Sequence, residues 1–535
     1  MSTSNHDKSL PGSPEELNLP NHIDRRSFLM RNAVIGAAAV MTGRTWTPEA
    51  RAAQATKEAG APKMGGTLSP DLDVVKKSKG PVMTVLDEFY KVGPGPSSSH
   101  TIGPMRITYD FYQRCTKLPA DQLAKATGLK VHLYGSLSAT GKGHGTERAA
   151  LAGMLGKEPA TVDPLFLDAM KEKPNESYPL KLGDKAFNLS LADIIYDSPK
   201  GEFPHPNTMT CKLMGAGDKA VYELEYYSPG GGFYEWKGYT PPKKGKPQYP
   251  YATMKELRQH AEKNNLSIAQ VILANEIAVS GKTEEQINEF LDKISGAMLA
   301  TVKAGLAVKE GVLPGPIKLH SKAATVWERA QDDKYEADRA VALLSACALA
   351  ASEENARGHL VITAPTGGSA GVMPAIVYAL TETKRKLPQE KIRQGLLGGA
   401  AIGYLCKHNA TLSGAEGGCQ SEIGVASGMS AAFIASALDA SPVVTENAAE
   451  SAIEHHLGMT CDPVAGYVQV PCIERCAFGA VKAWTAYMIA TNEIGSRHRV
   501  DLDTTIKTLA DTGKDMSARY KETSEAGLAA NLVLC

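Results

Sequence analysis

Apolar residues recur at helical spacing through the second half of the chain. Ile287, Phe290, Leu291, Ile294, Met298, Leu299 and Val302 form one helical stripe. They follow Thr283-Glu284-Glu285-Gln286, a capping-box pattern that starts a helix by satisfying its first free N–H groups. Ala340–Ala351 carries no charge and predicts a buried central helix. Ile423–Leu438 is also uncharged, but its several Ser and Gly residues and short length predict a core helix rather than a membrane span. Earlier in the chain the period changes. Leu129, Val131, Leu133 and Leu137 alternate and predict a half-buried strand over 129–137, with further strand-like runs at Phe187–Tyr196 and Val221–Tyr227. Val82, Val85, Leu86 and Phe89 lie at helical spacing. The expected fold is α+β: an N-terminal mixed α/β domain over residues 81–251, then a mainly α-helical catalytic domain with a C-terminal tail over 252–535. The boundary follows Tyr239–Tyr249, whose Pro, Lys and Gly content has no periodicity.

A chain of 535 residues that is 43% hydrophobic can bury two or more cores. Its 58 basic residues balance 58 acidic ones, so charge gives no case for binding nucleic acid or an anionic membrane. The N-terminus is different. Polar residues 1–20 precede Asp24-Arg25-Arg26-Ser27-Phe28-Leu29, an apolar run over 32–43 and the small-residue site Ala50-Arg51-Ala52. That order reads as a secretory signal, and the paired arginines before Ser-Phe-Leu resemble a twin-arginine signal. The expectation is a signal segment over 1–52, a linker over 53–80 and a periplasmic or exported protein. It would use the twin-arginine translocation machinery and keep no stable membrane span after processing; the alternative is cytoplasmic. Nine cysteines, an odd number, do not make a disulfide framework.

Three of those cysteines stand at turns: Cys419 after Gly417-Gly418, Cys461 before Asp462-Pro463, Cys472 after Pro471. Taken singly, each reads as a buried small side chain. The dense spacings of ferredoxins and zinc ribbons are absent, whereas three gathered thiolates suit a cluster with one iron left open as a Lewis acid. Two other stretches are rich in small and polar residues. Ser97-Ser98-Ser99-His100-Thr101 follows Gly93-Pro94-Gly95-Pro96 and predicts a loop or capped helix start. Thr140–Thr146 predicts a Gly-rich loop with His144 at its apex, the glycines admitting close approach of another segment. Thr363–Gly371 offers either a tight helix connection or free backbone N–H groups for an anion such as a carboxylate.

The motifs GPGPSSSHTIGPMR, YGSLSATGKGHGT, HPNTM, TAPTGGSAGVMPA, SGAEGGCQSEIG and EHHLGMTCDPVAGYVQVPCIER resemble, in order, those of the bacterial iron-sulfur-dependent L-serine dehydratases, single-chain form. The resemblance runs from about Val82 to the last residue. It implies β-elimination from L-serine to pyruvate and ammonia, a [4Fe-4S] cluster on Cys419, Cys461 and Cys472, and Cys535 as a displaceable fourth ligand. It also implies His100 as the first candidate for proton transfer and His144 as the second. Ser97, Ser98, Ser99 and Thr101 would bind the amino-acid head group, aided by Thr366, Gly368 and Ser369. A homodimer is implied as well. Two positions depart from the family: Gly367 and Cys476 stand where Asn is usual. Four residues apart on a helix, Cys472 and Cys476 would share a face. Elimination on L-cysteine or L-threonine, and an inactive iron-sulfur protein that senses serine, are the alternatives. A pyridoxal-phosphate enzyme is disfavoured because no lysine stands in an anchoring context.

Overall fold

The computed structural model describes Leu68 and residues 80–532. The signal-like segment, most of the proposed linker and Cys535 lie outside the described residues.

The chain is helical only over Leu86–Phe89 in the first apolar stretch, and β1 (Lys91–Pro94) follows. The Ser97 hydroxyl then accepts the His100 N–H and caps a π-helical turn, Ser98–Ile102, that runs into α1 (Gly103–Cys115). Next come β2 (Gly128–Leu133), α2 (Ser136–His144), α3 (Thr146–Met154) and α4 (Pro164–Glu172). The strands β3 (Tyr178–Leu182) and β4 (Lys185–Leu189) pair as a hairpin; β5 (Ile194–Tyr196), β6 (Thr208–Met214), β7 (Ala220–Tyr227) and β8 (Glu235–Trp236) complete the region. Five strands form one sheet in the order β5-β2-β6-β7-β8, parallel only between β2 and β5. Alternate residues of β2 (Leu129, Val131, Leu133) are buried against Met105, Phe111 and Ala149 of the helices. The half-buried strand expected there is real but shorter than predicted. Gly135, at φ 57°, turns the chain, and Leu137 enters the same core from a helix. Phe187–Tyr196 likewise divides into two strands, because a Ser190–Asp193 capping box places a 3-10 turn between them.

Helices dominate from Met254 onward: α5 (Met254–Asn264), α6 (Ile268–Ser280), α7 (Glu284–Ala307), α8 (Ala323–Gln331) and α9 (Arg339–Arg357). Capping boxes at Thr253/Glu256, Ser267/Gln270 and Thr283/Gln286 start the first three. After β9 (Leu360–Thr363) come α10 (Val372–Thr381), α11 (Gln389–Asn409), α12 (Ile423–Ala437), α13 (Pro442–Glu454), α14 (Cys472–Asn492) and α15 (Leu502–Asp515). Every residue of α12 is buried, and α10, α11, α13 and α14 all pack against it. As expected, α9 is also largely buried. No helix among the described residues is long and apolar enough to cross a membrane.

The α/β and helical regions are stitched together. β1 pairs antiparallel with β9, Val92 opposite Ile362, and Val82, Leu86, Phe89 and Tyr90 belong to the helical core. Gly95 sits against α9 so closely that a β-carbon there would lie 2.1 Å from the Asn355 carbonyl oxygen, while Asn355 Nδ2 donates to Pro96 O at 2.7 Å. This stitching carries the serine turn from one region onto the cysteine loops of the other.

Candidate active site

Each of the three cysteines begins or interrupts an element. Cys419 opens a 3-10 turn after Gly418 (φ 76°). Cys461 forms a bridge with the C-terminal segment: its N–H donates to Tyr520 O and its carbonyl accepts the Glu522 N–H, both at 2.8 Å. Cys472 is the first residue of α14. All three are buried free thiols. Cys419, Cys461 and Glu422 present ligand atoms within 4.8 Å of one another, and Cys472 completes the set through its contact with Cys419.

The Cys419 thiol is held well below its ordinary range by the Cys461 and Cys472 thiols directed at it, against burial and with help from the Arg475 guanidinium. The same contact with Cys419, together with burial, pushes Cys461 and Cys472 up. A compact set of soft donors holding a negative charge is what a soft metal or an iron-sulfur group requires. The donor chemistry therefore fits a metal cofactor.

A small cavity beside these thiols is lined also by Ser97, His144, Gly368, Glu422 and Glu522. The expected Gly-rich loop at 140–146 is instead the end of α2, a single left-handed Gly145 and the start of α3. Packing explains it: a β-carbon on Gly143 would lie 2.4 Å from the Gly466 carbonyl oxygen, so the glycines set the distance between α2 and the Cys461–Cys472 connection. His144 is consequently fully buried rather than held at an apex. Its Nδ1 donates to Thr140 O at 2.8 Å, which assigns the lone pair to Nε2, a buried atom with no hydrogen-bond partner. Burial lowers its pKa to about 4.

His100 stacks on His144 with ring centroids 4.6 Å apart, and both its nitrogens are engaged. Ser136 Oγ donates to Glu522 O at 3.1 Å and so accepts from His100 Nε2 at 3.0 Å. Nδ1 then accepts from Ser99 Oγ at 2.8 Å. Burial, with the neighbouring His144, holds this ring well below its usual pKa.

Of the other residues expected to bind the head group, Ser97 and Gly368 line the cavity. Thr101 is used structurally, its hydroxyl donating to His144 O at 2.8 Å. Ser98 is buried in the turn, and Thr366 and Ser369 bond to each other at 3.1 Å. The HPNTM motif is scaffolding: Asn207 Nδ2 donates to Ser228 O, and Ser228 Oγ donates to Ser99 O. The two positions expected to depart from the family motif meet in space, since Cys476 Sγ donates to the Gly368 carbonyl, beside Gly367, at 3.2 Å.

Sequence reasoning missed four residues. Glu422 is buried, which with the Cys419 charge raises its pKa to about 8. Glu522 places Oε1 3.4 Å from His100 Nδ1 and 3.6 Å from His144 Nε2. Arg475 donates to Thr460 O at 2.7 Å beside Cys461. Ser136 joins His100 to Glu522. A lone acid three residues after Cys419, at the mouth of an uncharged helix, was a usable signal for Glu422; the other three carried none.

Thiols gathered at a buried cavity that His144 also lines fit a class, the enzymes with a metal cofactor. Comparison with known proteins narrows it. Residues 85–238 match the family model of the serine dehydratase beta chain and residues 263–529 that of the alpha chain. The L-serine dehydratase of Streptomyces coelicolor is 40% identical over 455 residues, covering 84% of this chain and 99% of that protein. That of Haemophilus influenzae is 39% identical over 460 residues, covering 84% and 100%, and L-serine dehydratase 2 of Escherichia coli is 40% identical over 456 residues, covering 84% and 99%. The chain belongs to the serine dehydratase family, with beta-type and alpha-type regions joined in one polypeptide.

Proposed function

We propose that this protein is an L-serine ammonia-lyase that eliminates water from L-serine and yields pyruvate and ammonia. The observation that carries the reading is the partnerless Nε2 of His144 sharing one buried cavity with Cys419, Cys461 and Cys472. Cys419, Cys461 and Cys472 would hold a [4Fe-4S] cluster, with Cys535 as a displaceable fourth ligand. When bound, such a cluster supplies a Lewis acid that assists departure of the substrate hydroxyl.

The chain's own residues do the rest. Ser97 and the backbone beside Gly368 orient the substrate's amino and carboxylate groups. His144 Nε2, whose lone pair faces the cavity, takes the Cα proton; a neutral imidazole is the base this step needs. His100, bonded at both nitrogens, stands behind it, which reverses the order expected from sequence. Aminoacrylate leaves the site, tautomerises and hydrolyses to pyruvate and ammonia.

Protein purified without oxygen and reconstituted with iron and sulfide should release pyruvate from L-serine, and Cys461→Ala should abolish release. Competition by L-cysteine and L-threonine ranks the substrates. A cluster that forms and changes its spectrum with serine, yet gives no pyruvate, refutes the lyase reading in favour of a sensor. Export by the twin-arginine machinery and a homodimeric assembly belong to the same proposal. Periplasmic recovery of activity that Arg25→Lys/Arg26→Lys abolishes tests the first, and sedimentation the second.

A further inference from the structure

Glu422 follows Cys419 by three residues, and its carboxyl group turns back toward the thiols. Its Oε2 lies 4.0 Å from Cys419 Sγ. Cys419 Sγ, Cys461 Sγ and a Glu422 carboxylate oxygen all lie within 4.8 Å of one another, and Cys472 meets Cys419 from outside this trio. The backbone makes room for the approach. A β-carbon on Gly414 would fall 2.7 Å from Glu422 Oε2 and 3.3 Å from Cys461 Sγ, and one on Gly368 would fall 3.2 Å from Glu422 Oε1. A side chain at Gly414 would displace the carboxyl group from the thiol.

These spacings decide which metal group the donors suit as they stand. An ion of the zinc class, about 2.3 Å from sulfur and about 2.0 Å from oxygen, sets tetrahedral edges of about 3.8 Å between sulfurs and about 3.5 Å between sulfur and oxygen. A cubane cluster instead gives each thiolate a different iron, so its sulfur ligands stand apart by the breadth of the cluster. A trio drawn inside 4.8 Å, with a carboxylate as one member, matches the single ion. The Arg475 guanidinium beside Cys419 and Cys472 offsets part of the negative charge that such a set collects.

We propose that the chain without its cluster binds one divalent ion of the zinc class at Cys419, Cys461, Cys472 and Glu422, and that this ion bars the cluster from the same thiols. Three sulfurs and one oxygen surround it, and the thiol protons leave to solvent as it binds. Glu422 separates the two states, since a carboxylate completes the single-ion set whereas the cluster draws on the thiols. With all four positions filled by protein, the occupied form is a closed, structural site. None of this depends on the lyase reading.

The test titrates the metal-free full chain, reduced and without oxygen, with Co²⁺ as a visible probe and then with Zn²⁺ in competition. The wild type should bind one Co²⁺ per chain, with intense four-coordinate ligand-field bands and thiolate-to-metal charge transfer, and Zn²⁺ should displace it. X-ray absorption of the zinc form should read three sulfurs at about 2.3 Å and one oxygen at about 2.0 Å. Glu422→Gln should weaken Co²⁺ binding by at least about 10-fold, yet take up wild-type iron on reconstitution with iron and sulfide. Glu416→Gln, which alters an acid on the same loop that meets His205, should change neither. Wild-type chain preloaded with Zn²⁺ should take up little iron until a chelator removes the ion. Octahedral cobalt without a thiolate band, an all-sulfur zinc shell, or full iron uptake by the zinc-loaded chain would overturn the proposal. So would an unchanged Co²⁺ affinity in Glu422→Gln, or a parallel loss of its iron. Absence of pyruvate from the reconstituted wild type would refute the lyase reading alone, and the metal readouts still decide this one.

Discussion

Consider Gly143→Ala, a single methyl added inside α2. The new β-carbon would lie 2.4 Å from the Gly466 carbonyl oxygen and 2.6 Å from its carbonyl carbon, whereas ordinary contact begins at 3.4 Å. Both neighbours are backbone, so no side chain can rotate away. The turn at Val464–Gly466 or α2 must retreat by about 1 Å. Overpacking of this kind costs about 1–3 kcal/mol, and replacing a helical glycine returns at most about 0.5–1 kcal/mol, so the net loss of stability is about 0–2.5 kcal/mol. The catalytic loss should be far larger. His144 is the next residue, and the displaced turn connects Cys461 to Cys472, so a 1 Å shift separates base from thiols and should lower kcat by about 100-fold. The assay pairs pyruvate release by the reconstituted enzyme with the unfolding midpoint of the apoprotein. Full turnover together with a raised midpoint would refute the reasoning, because the glycine would then serve no close approach.

Four further outcomes follow from the same coordinates. Cys419→Ala should abolish metal loading, since it removes the thiolate to which Cys461 and Cys472 are both directed, and iron analysis measures it. His498 is partly desolvated, yet hydrogen bonds to Glu450 and Glu493 raise its pKa above 6.5; its stabilisation is full below about pH 6.5 and fades as pH rises through the raised folded value, so His498→Gln should cost stability at pH 6 and little at pH 9 in urea melts. Burial raises Glu276 from 4.5 to about 7, so its favourable contribution is lost between those values; Glu276→Gln should therefore gain stability relative to wild type at pH 8 compared with pH 5. Gly527→Ala combines φ 62° with a β-carbon 2.1 Å from Asp462 Oδ2 and should unseat the C-terminal segment, detected as faster cleavage after Lys521 by a lysine-specific protease.

What the sequence made legible was whatever depends on local period or local chemistry. The stripe from Ile287 to Val302 and its Thr283 cap became α7, and the uncharged run at Ile423 became the buried α12. What it hid depends on contacts between distant segments. Leu137 continues the strand alternation only because a helix returns it to the same core, and Gly141, Gly143 and Gly145 look like a loop because their role, admitting Tyr196, Gly466 and Arg148, is invisible locally. Low helix propensity lost to packing there. Glu522 reads as a solvated charge because its bridge to Cys461 spans the helical region. The hydrogen bonding of His100 is hidden for the same reason: no pattern in the chain reveals that Ser99 and Ser136 occupy both its nitrogens.

Cys476 is the sharpest remaining test of how far spacing can be trusted. It follows Cys472 by one helical turn, and the shared face leaves it a spare ligand or, as the preferred reading, a bystander. The structure favours the bystander: Sγ donates to Gly368 O at 3.2 Å, and burial pushes it up to about 11, so it keeps its proton. A protonated thiol satisfying a carbonyl is a poor ligand, because the thiolate is the metal-binding form. Cys476→Ala should therefore leave iron per chain unchanged while costing about 1–3 kcal/mol for the unsatisfied Gly368 carbonyl. Cys476→Ser, which restores a donor, should recover most of that loss. The Gly368 carbonyl belongs to the loop proposed to orient the substrate, so the alanine variant should also raise KM for L-serine more than it lowers kcat. A fall in iron content with KM unchanged would show the helical face, rather than the hydrogen bond, to have been the better guide.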